Sequence, residues 1–263
     1  MTKPFNWKLF LILWLAAVFG VVAVIPYILT VQSEMLQSLE LPIPLSTLIL
    51  LQIIQGAVLL AILTAAGLFF ANKIGLGAPI LESLLQKESV AEKLKSIMPI
   101  SIILGVTASL VIIGLDFFVF QPMVVQQLGE QANALSQTAL KPSAWQGFLA
   151  SFYGGIAEEI QLRLFFMSLL AWLGSFIVKP INGKANNTVL WIANILAAVV
   201  FGLGHLPAAS LILPLSTLVV IRIILLNSIG GIIFGWLYQT RGLESAMIAH
   251  FSADIVLHVI FAI

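Results

Sequence analysis

Residues 145–172 read Trp145-Gln-Gly-Phe-Leu-Ala-Ser-Phe-Tyr-Gly-Gly-Ile-Ala-Glu158-Glu159-Ile-Gln-Leu-Arg163-Leu-Phe-Phe-Met-Ser-Leu-Leu-Ala-Trp172, an apolar stretch interrupted near its middle by two adjacent carboxylates and an arginine. A helical membrane span needs roughly 20 mostly apolar residues, and this stretch is long enough. An acidic side chain at the centre of such a helix costs about 2.5–3.5 kcal/mol on insertion scales, so it normally faces a partner or a water-filled cavity. Two side by side point to a site. At about 100° per residue, Glu159 and Arg163 are an i,i+4 pair on one face, whereas Glu158 points away from the arginine. The spacing therefore predicts that Arg163 holds Glu159 ionised and leaves Glu158 free to take and return a proton. A structural ion pair that locks helix packing would account for Glu159 and Arg163 alone. The unpaired second glutamate is what favours function.

Working outward, the whole chain has the character of that stretch. Hydrophobic residues make up 60% and charged residues 9%, against about 25% charged in a soluble domain. The mean hydropathy is +1.11. The predicted fold is an all-α, polytopic transmembrane bundle with spans near 7–29, 45–71, 98–118, 145–172, 189–206, 217–238 and 244–262. The apolar runs are continuous rather than alternating, which excludes barrel strands. Residues 1–140 contribute spans and loops, and 141–263 carry the candidate catalytic core, within one membrane domain. A surface helix is expected in the mixed-charge stretch 72–97, and a Gln-rich outer loop over 119–144. The first span exceeds a signal peptide's usual apolar core and reads as a retained anchor. With a cytoplasmic amino terminus, Lys3, Lys8, Lys73, Lys87, Lys93, Lys95, Lys179, Lys184 and Arg241 all fall inside and only Lys141 in an outer loop, satisfying the positive-inside rule.

The polar inventory of the later spans narrows the chemistry. Phe201-Gly-Leu-Gly-His205 lies in the fifth span. His250-Phe-Ser-Ala-Asp254 lies in the seventh, with His258 one turn further on, so His250, Asp254 and His258 share a helical face. Glu158 with His205 can deprotonate a water, and His250 with Asp254 can bind the oxyanion formed when that water attacks a carbonyl. Glu158, His205, His250 and Asp254 are equally acceptable ligands for a divalent metal such as zinc, and this alternative stays open. Either route hydrolyses an amide. There is no cysteine, no His-Glu-x-x-His motif and no Gly-x-Ser-x-Gly elbow, so a thiol protease, a zincin and a conventional serine hydrolase are disfavoured. No basic-aromatic cluster points to nucleic acid.

These three motifs together, Glu158-Glu159-x-x-x-Arg163, Phe201-x-x-x-His205 and His250-x-x-x-Asp254, resemble those of the CPBP family. That family comprises type II CAAX prenyl endopeptidases, Abi proteins and bacteriocin-processing or immunity proteins. Gly231-Ile-Ile-Phe-Gly235-Trp-Leu-Tyr238-Gln-Thr-Arg-Gly-Leu243 is similar to its glycine-rich helix and short turn. The resemblance covers about residues 143–258. It implies that Glu158 and His205 activate water, that Glu159 and Arg163 support the site, and that His250 and position 254 stabilise the oxyanion. Position 254 departs from the family, which often has Asn there. An ionised Asp254 would repel an oxyanion, so it must be protonated, pair with His250 or His258, or bind a metal.

The reading is thus an intramembrane endopeptidase acting on a membrane-associated peptide or protein, with a prenylated CAAX-type substrate as one possibility and membrane lipid as its surroundings. A proton-coupled transporter is the alternative from another class, though no inverted repeat is present. A non-catalytic immunity or scaffold protein is the third. Two further expectations concern depth. Simple in-out threading at about 1.5 Å per residue puts His205 about 24 Å and His250 about 9 Å from the same side, too far apart to meet. Asp116 and Arg222, by contrast, fall at similar depth towards the outer face and are expected to pair.

Overall fold

The computed structural model describes residues 5–33, 36, 42–129, 141–211 and 214–261, and among these the regular structure is helical, with short turns between helices and one isolated bridge between Ile181 and Lys184. The first span is α1 (Trp7–Ala23) continued by α2 (Ile25–Val31). Next come α3 (Leu45–Ile74), a short α4 (Pro79–Leu85) and α5 (Ala91–Leu115), which passes through a π-helical turn (Asp116–Phe120) into α6 (Gln121–Leu128). The central helix comprises α7 (Ala144–Phe152), π-helical segments Tyr153–Glu158 and Ile160–Met167, and α8 (Ser168–Gly174). It is followed by α9 (Asn187–Gly204), the one-turn α10 (Leu206–Ala209), α11 (Thr217–Arg241) and α12 (Leu243–Asp254), which ends in a π-helical turn (Ile255–Ile260).

Six helices among the described residues are long and apolar enough to cross a membrane: Trp7–Val31, Leu45–Ile74, Ala91–Gln127, Asn187–Ala209, Thr217–Arg241 and Leu243–Ile260. The seventh expected span is the unbroken helical run 144–174, set apart by its three charges. The protein is a multi-pass integral membrane protein. Within 72–97 the expected surface helix is the short α4, and from Ala91 the chain already belongs to the third span. That span also runs further than expected, so residues 119–128 are helix rather than loop; residues 130–140 lie outside the described part. Two of the polar side chains there find partners without leaving the helix. Gln121 donates to Asp116 (3.3 Å), Gln127 accepts from Ser216 Oγ (3.0 Å), and Val124 packs on Val219 and Ile223 of α11.

Local chemistry sets the helix ends. Ser143 and Gln146 form a capping box at the start of α7, with the Ser143 N–H donating to Gln146 Oε1 at 2.8 Å. Gly75 ends α3 at φ 75°, and Gly242, at φ 97°, turns α11 into α12 where a Cβ would meet Pro79 Cδ at 2.3 Å. The central helix is packed on every side. Ala157, Ile160, Leu164, Met167 and Ala171 form one core with Leu13 and Ala17 of α1, Leu60 of α3, Ala193 and Ala197 of α9, Phe234 of α11, and Ala246 and Ala249 of α12. Ile62, Ile103 and Phe118 face outward, as a lipid-facing surface allows.

Asp116 and Arg222 pair as expected. Arg222 Nε donates to Asp116 Oδ1 at 2.5 Å and Nη2 to Oδ2 at 2.8 Å, a bidentate fork joining the π-turn of the third span to α11. Removing one partner strands a largely buried charge, which typically costs about 3–5 kcal/mol. Arg222→Ala and Asp116→Ala should each lower the melting temperature in detergent, and the double variant should recover part of the loss because no charge is left alone. Equal stability of both single variants and wild type would show that the fork is energetically idle.

Candidate active site

The site is built around Glu159, whose side chain is fully buried. Arg163 Nη1 lies 3.3 Å from Glu159 Oε1, the i,i+4 pair expected from the sequence. The same oxygen accepts from His250 Nδ1 at 2.8 Å, so Glu159 ties its own helix to α12. Arg163 is also tied across the bundle, donating from Nη2 to the Gly231 carbonyl at 3.0 Å. Its guanidinium sits over the rings of Phe201 (5.1 Å) and Phe234 (5.6 Å), a cation-π clamp within apolar walls. The His250 ring stacks on Phe234 at 4.6 Å and meets Phe201 edge-on at 5.5 Å. The two phenylalanines therefore confine both the guanidinium and the imidazole.

Glu158 occupies a different position, as the spacing predicts. Its side chain retains 20% exposure, while Glu159 and Arg163 retain 0% and 1%. Because Nδ1 of His250 donates to Glu159, Nε2 is the nitrogen turned to the remaining acids. It lies 3.7 Å from Glu158 Oε2 and 3.6 Å from Asp254 Oδ1, beyond direct hydrogen bonding and within the range a bridging water spans. Asp254 lies beside His250 as the i,i+4 pattern requires. Tyr27 of α2 approaches His258 Nδ1 at 3.4 Å, at the far end of the same face.

His205 forms the junction of α9 and α10 and lies behind Phe201. Its Nδ1 is 2.8 Å from the Phe201 carbonyl, which can only accept, so Nδ1 carries the proton and Nε2 keeps its lone pair. The His205 ring meets the Phe201 ring edge-on at 4.7 Å. The two histidines do not touch each other but share the Phe201 ring, nearer than simple threading allows, and two features explain it. α12 begins buried rather than at the surface: Leu243 N–H donates to the Gly77 carbonyl (3.0 Å), and Glu244 Oε1 accepts from Leu81 N–H (2.8 Å) and caps α4. The Phe201 ring then spans the gap between the two histidines.

Several positioning residues were not evident from residue type alone. Ser101 and Ser245 share a 2.7 Å hydrogen bond, and Ser109 Oγ donates to the Ala253 carbonyl at 3.1 Å, holding α12 to α5. A Cβ on Gly154 would lie 2.1 Å from Asp254 Oδ2 and 3.2 Å from His250 Nε2, so Gly154 is the floor on which those side chains rest, while Gly155 lets Phe251 of α12 approach. The glycines of α11 have similar uses: Gly231 supplies the carbonyl that receives Arg163, and Gly235 leaves room for Asn194, which donates to the Ile232 carbonyl at 3.0 Å. Phe234 was missed because a phenylalanine in an apolar span carries no signal of its own.

A metal fits this arrangement poorly. Among the described residues no three His, Asp or Glu side chains converge closely enough to act as ligands. Glu158, His205, His250 and Asp254 therefore do not form a ligand set here.

With this geometry in place, comparison with known proteins becomes informative. Residues 140–256 match the family model described as Type II CAAX prenyl endopeptidase Rce1-like. The match bears out the resemblance of the three motifs: over this segment, which holds the central helix and α9 to α12, the chain is similar to the type II CAAX prenyl endopeptidases of the CPBP family. Searches of curated proteins and of solved structures found no match.

Two outcomes follow from the packing. Gly154→Ala pushes a methyl group into Asp254 and His250 and should lower peptide cleavage at least about tenfold, whereas Gly114→Ala, with nothing within 4 Å of its Cβ, should leave cleavage unchanged. Glu159→Ala and Arg163→Ala each strand a buried charge and should lower thermostability by about 3–5 kcal/mol. The exchange Glu159→Arg with Arg163→Glu should not recover it, because an arginine at 159 would face the His250 Nδ1–H donor; recovery to wild-type melting would refute the shared role of Glu159.

Proposed function

We propose that the protein is an intramembrane endopeptidase that cleaves a membrane-associated peptide with a water activated at Glu158 and His205. The carrying observation is the division of labour between adjacent acids: Glu159 is consumed by Arg163 and His250, while Glu158 is partly accessible and faces His250 Nε2. In this reading the water lies between Glu158 and the scissile carbonyl carbon. Glu158 takes its proton as the carbon–oxygen bond forms and delivers it to the departing amine nitrogen. His205, with its Nε2 lone pair, supports the water, and a protonated His250 Nε2 donates to the developing oxyanion. Asp254 in its neutral form adds a donor, and as a carboxylate it orients His250. Arg163 and Glu159 hold His250 in place. The family match supports this kind of activity, and a prenylated CAAX-type peptide is the substrate the family suggests. The charge count favours a cytoplasmic amino terminus.

The test is cleavage of a panel of prenylated and unmodified membrane peptides by purified protein. Glu158→Gln preserves shape but removes the base and should cost about 10²–10⁴-fold. Asp254→Asn should retain or raise activity, because an amide always has a donor to offer the oxyanion. Activity of Glu158→Gln within tenfold of wild type would remove it from the base role. Proton-coupled flux in vesicles without any cleavage would favour a transporter instead.

A further inference from the structure

A concavity lies away from the Glu158 site, at the end of the bundle where several spans terminate. It has a volume of about 1110 Å³ and is bordered by the start of α1, the end of α3, the 75–86 segment, Lys184 of the connection into α9, and the end of α11. Four cations line it, Lys8, Lys73, Lys184 and Arg241, against one acid, Glu82. All four are exposed. Among the described residues none of them forms an ion pair, in contrast to Lys93 with Glu88 and Lys95 with Glu92 on the 86–97 segment. Like charges converge on a cavity at a cost unless something negative lies between them.

We propose that this cavity binds the phosphate-bearing headgroup of an anionic membrane lipid. Depth is the first argument. Trp7, Ile74 and Arg241 are the terminal residues of their spans, so the cations stand where a bilayer presents its headgroups. The second is the mixed character of the walls: Trp7 and Phe69 line the same cavity as the cations, which suits a molecule with an apolar part better than a free phosphate. The third is an unused acceptor. Gln239 lines the cavity, and its Oε1 is buried with no hydrogen-bond partner, an oxygen that can accept from a headgroup hydroxyl. None of these residues belongs to the Glu158 site, so the proposal stands apart from the proposed chemistry.

The test uses the full chain in nanodiscs of phosphatidylcholine with a minor fraction of phosphatidylglycerol, followed by native mass spectrometry of retained lipid and by thermal melting. Wild type should retain one phosphatidylglycerol in preference to phosphatidylcholine. The triple variant Lys73→Gln, Lys184→Gln, Arg241→Gln should lose about 10²-fold in that preference, at about fivefold for each cation, and Arg241→Gln alone about fivefold. A control variant, Lys87→Gln with Lys95→Gln, removes two basic residues that do not line the cavity and should keep the preference. Equal loss in the control and the triple variant would mean diffuse surface attraction and overturn the site. Stabilisation by inorganic phosphate equal to that by phosphatidylglycerol would assign the cavity to a soluble anion and overturn the lipid. Melting of the single variant near wild type, with its preference reduced, separates binding from folding.

Discussion

Glu159 Oε1 receives Arg163 from its own helix and His250 from α12 in a space without measurable solvent exposure, and the arrangement of the other polar groups depends on that shared acceptor. In apolar surroundings an ionised carboxylate is tolerable only when opposite charge and hydrogen bonds compensate its desolvation. Here an ion pair and a hydrogen bond meet at one oxygen, and each partner is anchored elsewhere: Arg163 to the Gly231 carbonyl of α11, His250 to the face of Phe234. Three helices are thereby registered by one carboxylate. The aromatic rings around it exclude water and keep the electrostatic interaction strong.

The register has a chemical consequence next door. Because His250 spends Nδ1 on Glu159, its Nε2 must face Glu158 and Asp254, and because Phe201 O accepts from His205 Nδ1, the His205 lone pair lies on Nε2. Both imidazoles are thus held in defined orientations, one by the Glu159 carboxylate and the other by the Phe201 carbonyl. The π-helical segments contribute to the same end. They occur at Asp116, on both sides of Glu159 and immediately after Asp254, where widened turns re-aim polar side chains inside otherwise regular helices.

Close backbone approach is the other recurring device. Gly154 beneath Asp254, Gly231 beside Arg163, Gly235 against Asn194 and Gly105 against the Ala249 carbonyl all stand where a Cβ would intrude on a neighbouring helix or polar group. In lipid the hydrophobic effect does little to press helices together, so small residues and interhelical hydrogen bonds carry more of the association. The serine contacts between α5 and α12 belong to that pattern.

Residue type and spacing alone determined a great deal here. Continuous apolar runs could only be membrane helices, because a lipid-exposed backbone must satisfy its own hydrogen bonds. The i,i+4 geometry separated Glu159 from Glu158, and matching depth paired Asp116 with Arg222. Those are local or one-dimensional relations, which periodicity encodes. What needed tertiary structure was everything set by approach between helices: that His250 rather than Arg163 alone completes Glu159, that Phe234 walls the site, and that Gly154 supports Asp254. The depth of His205 and His250 belongs there too. Counting residues from a helix start measures distance along an axis, whereas α12 starts buried beneath α4 and an aromatic ring bridges the remaining gap. Only the packed bundle decides where each helix begins relative to its neighbours.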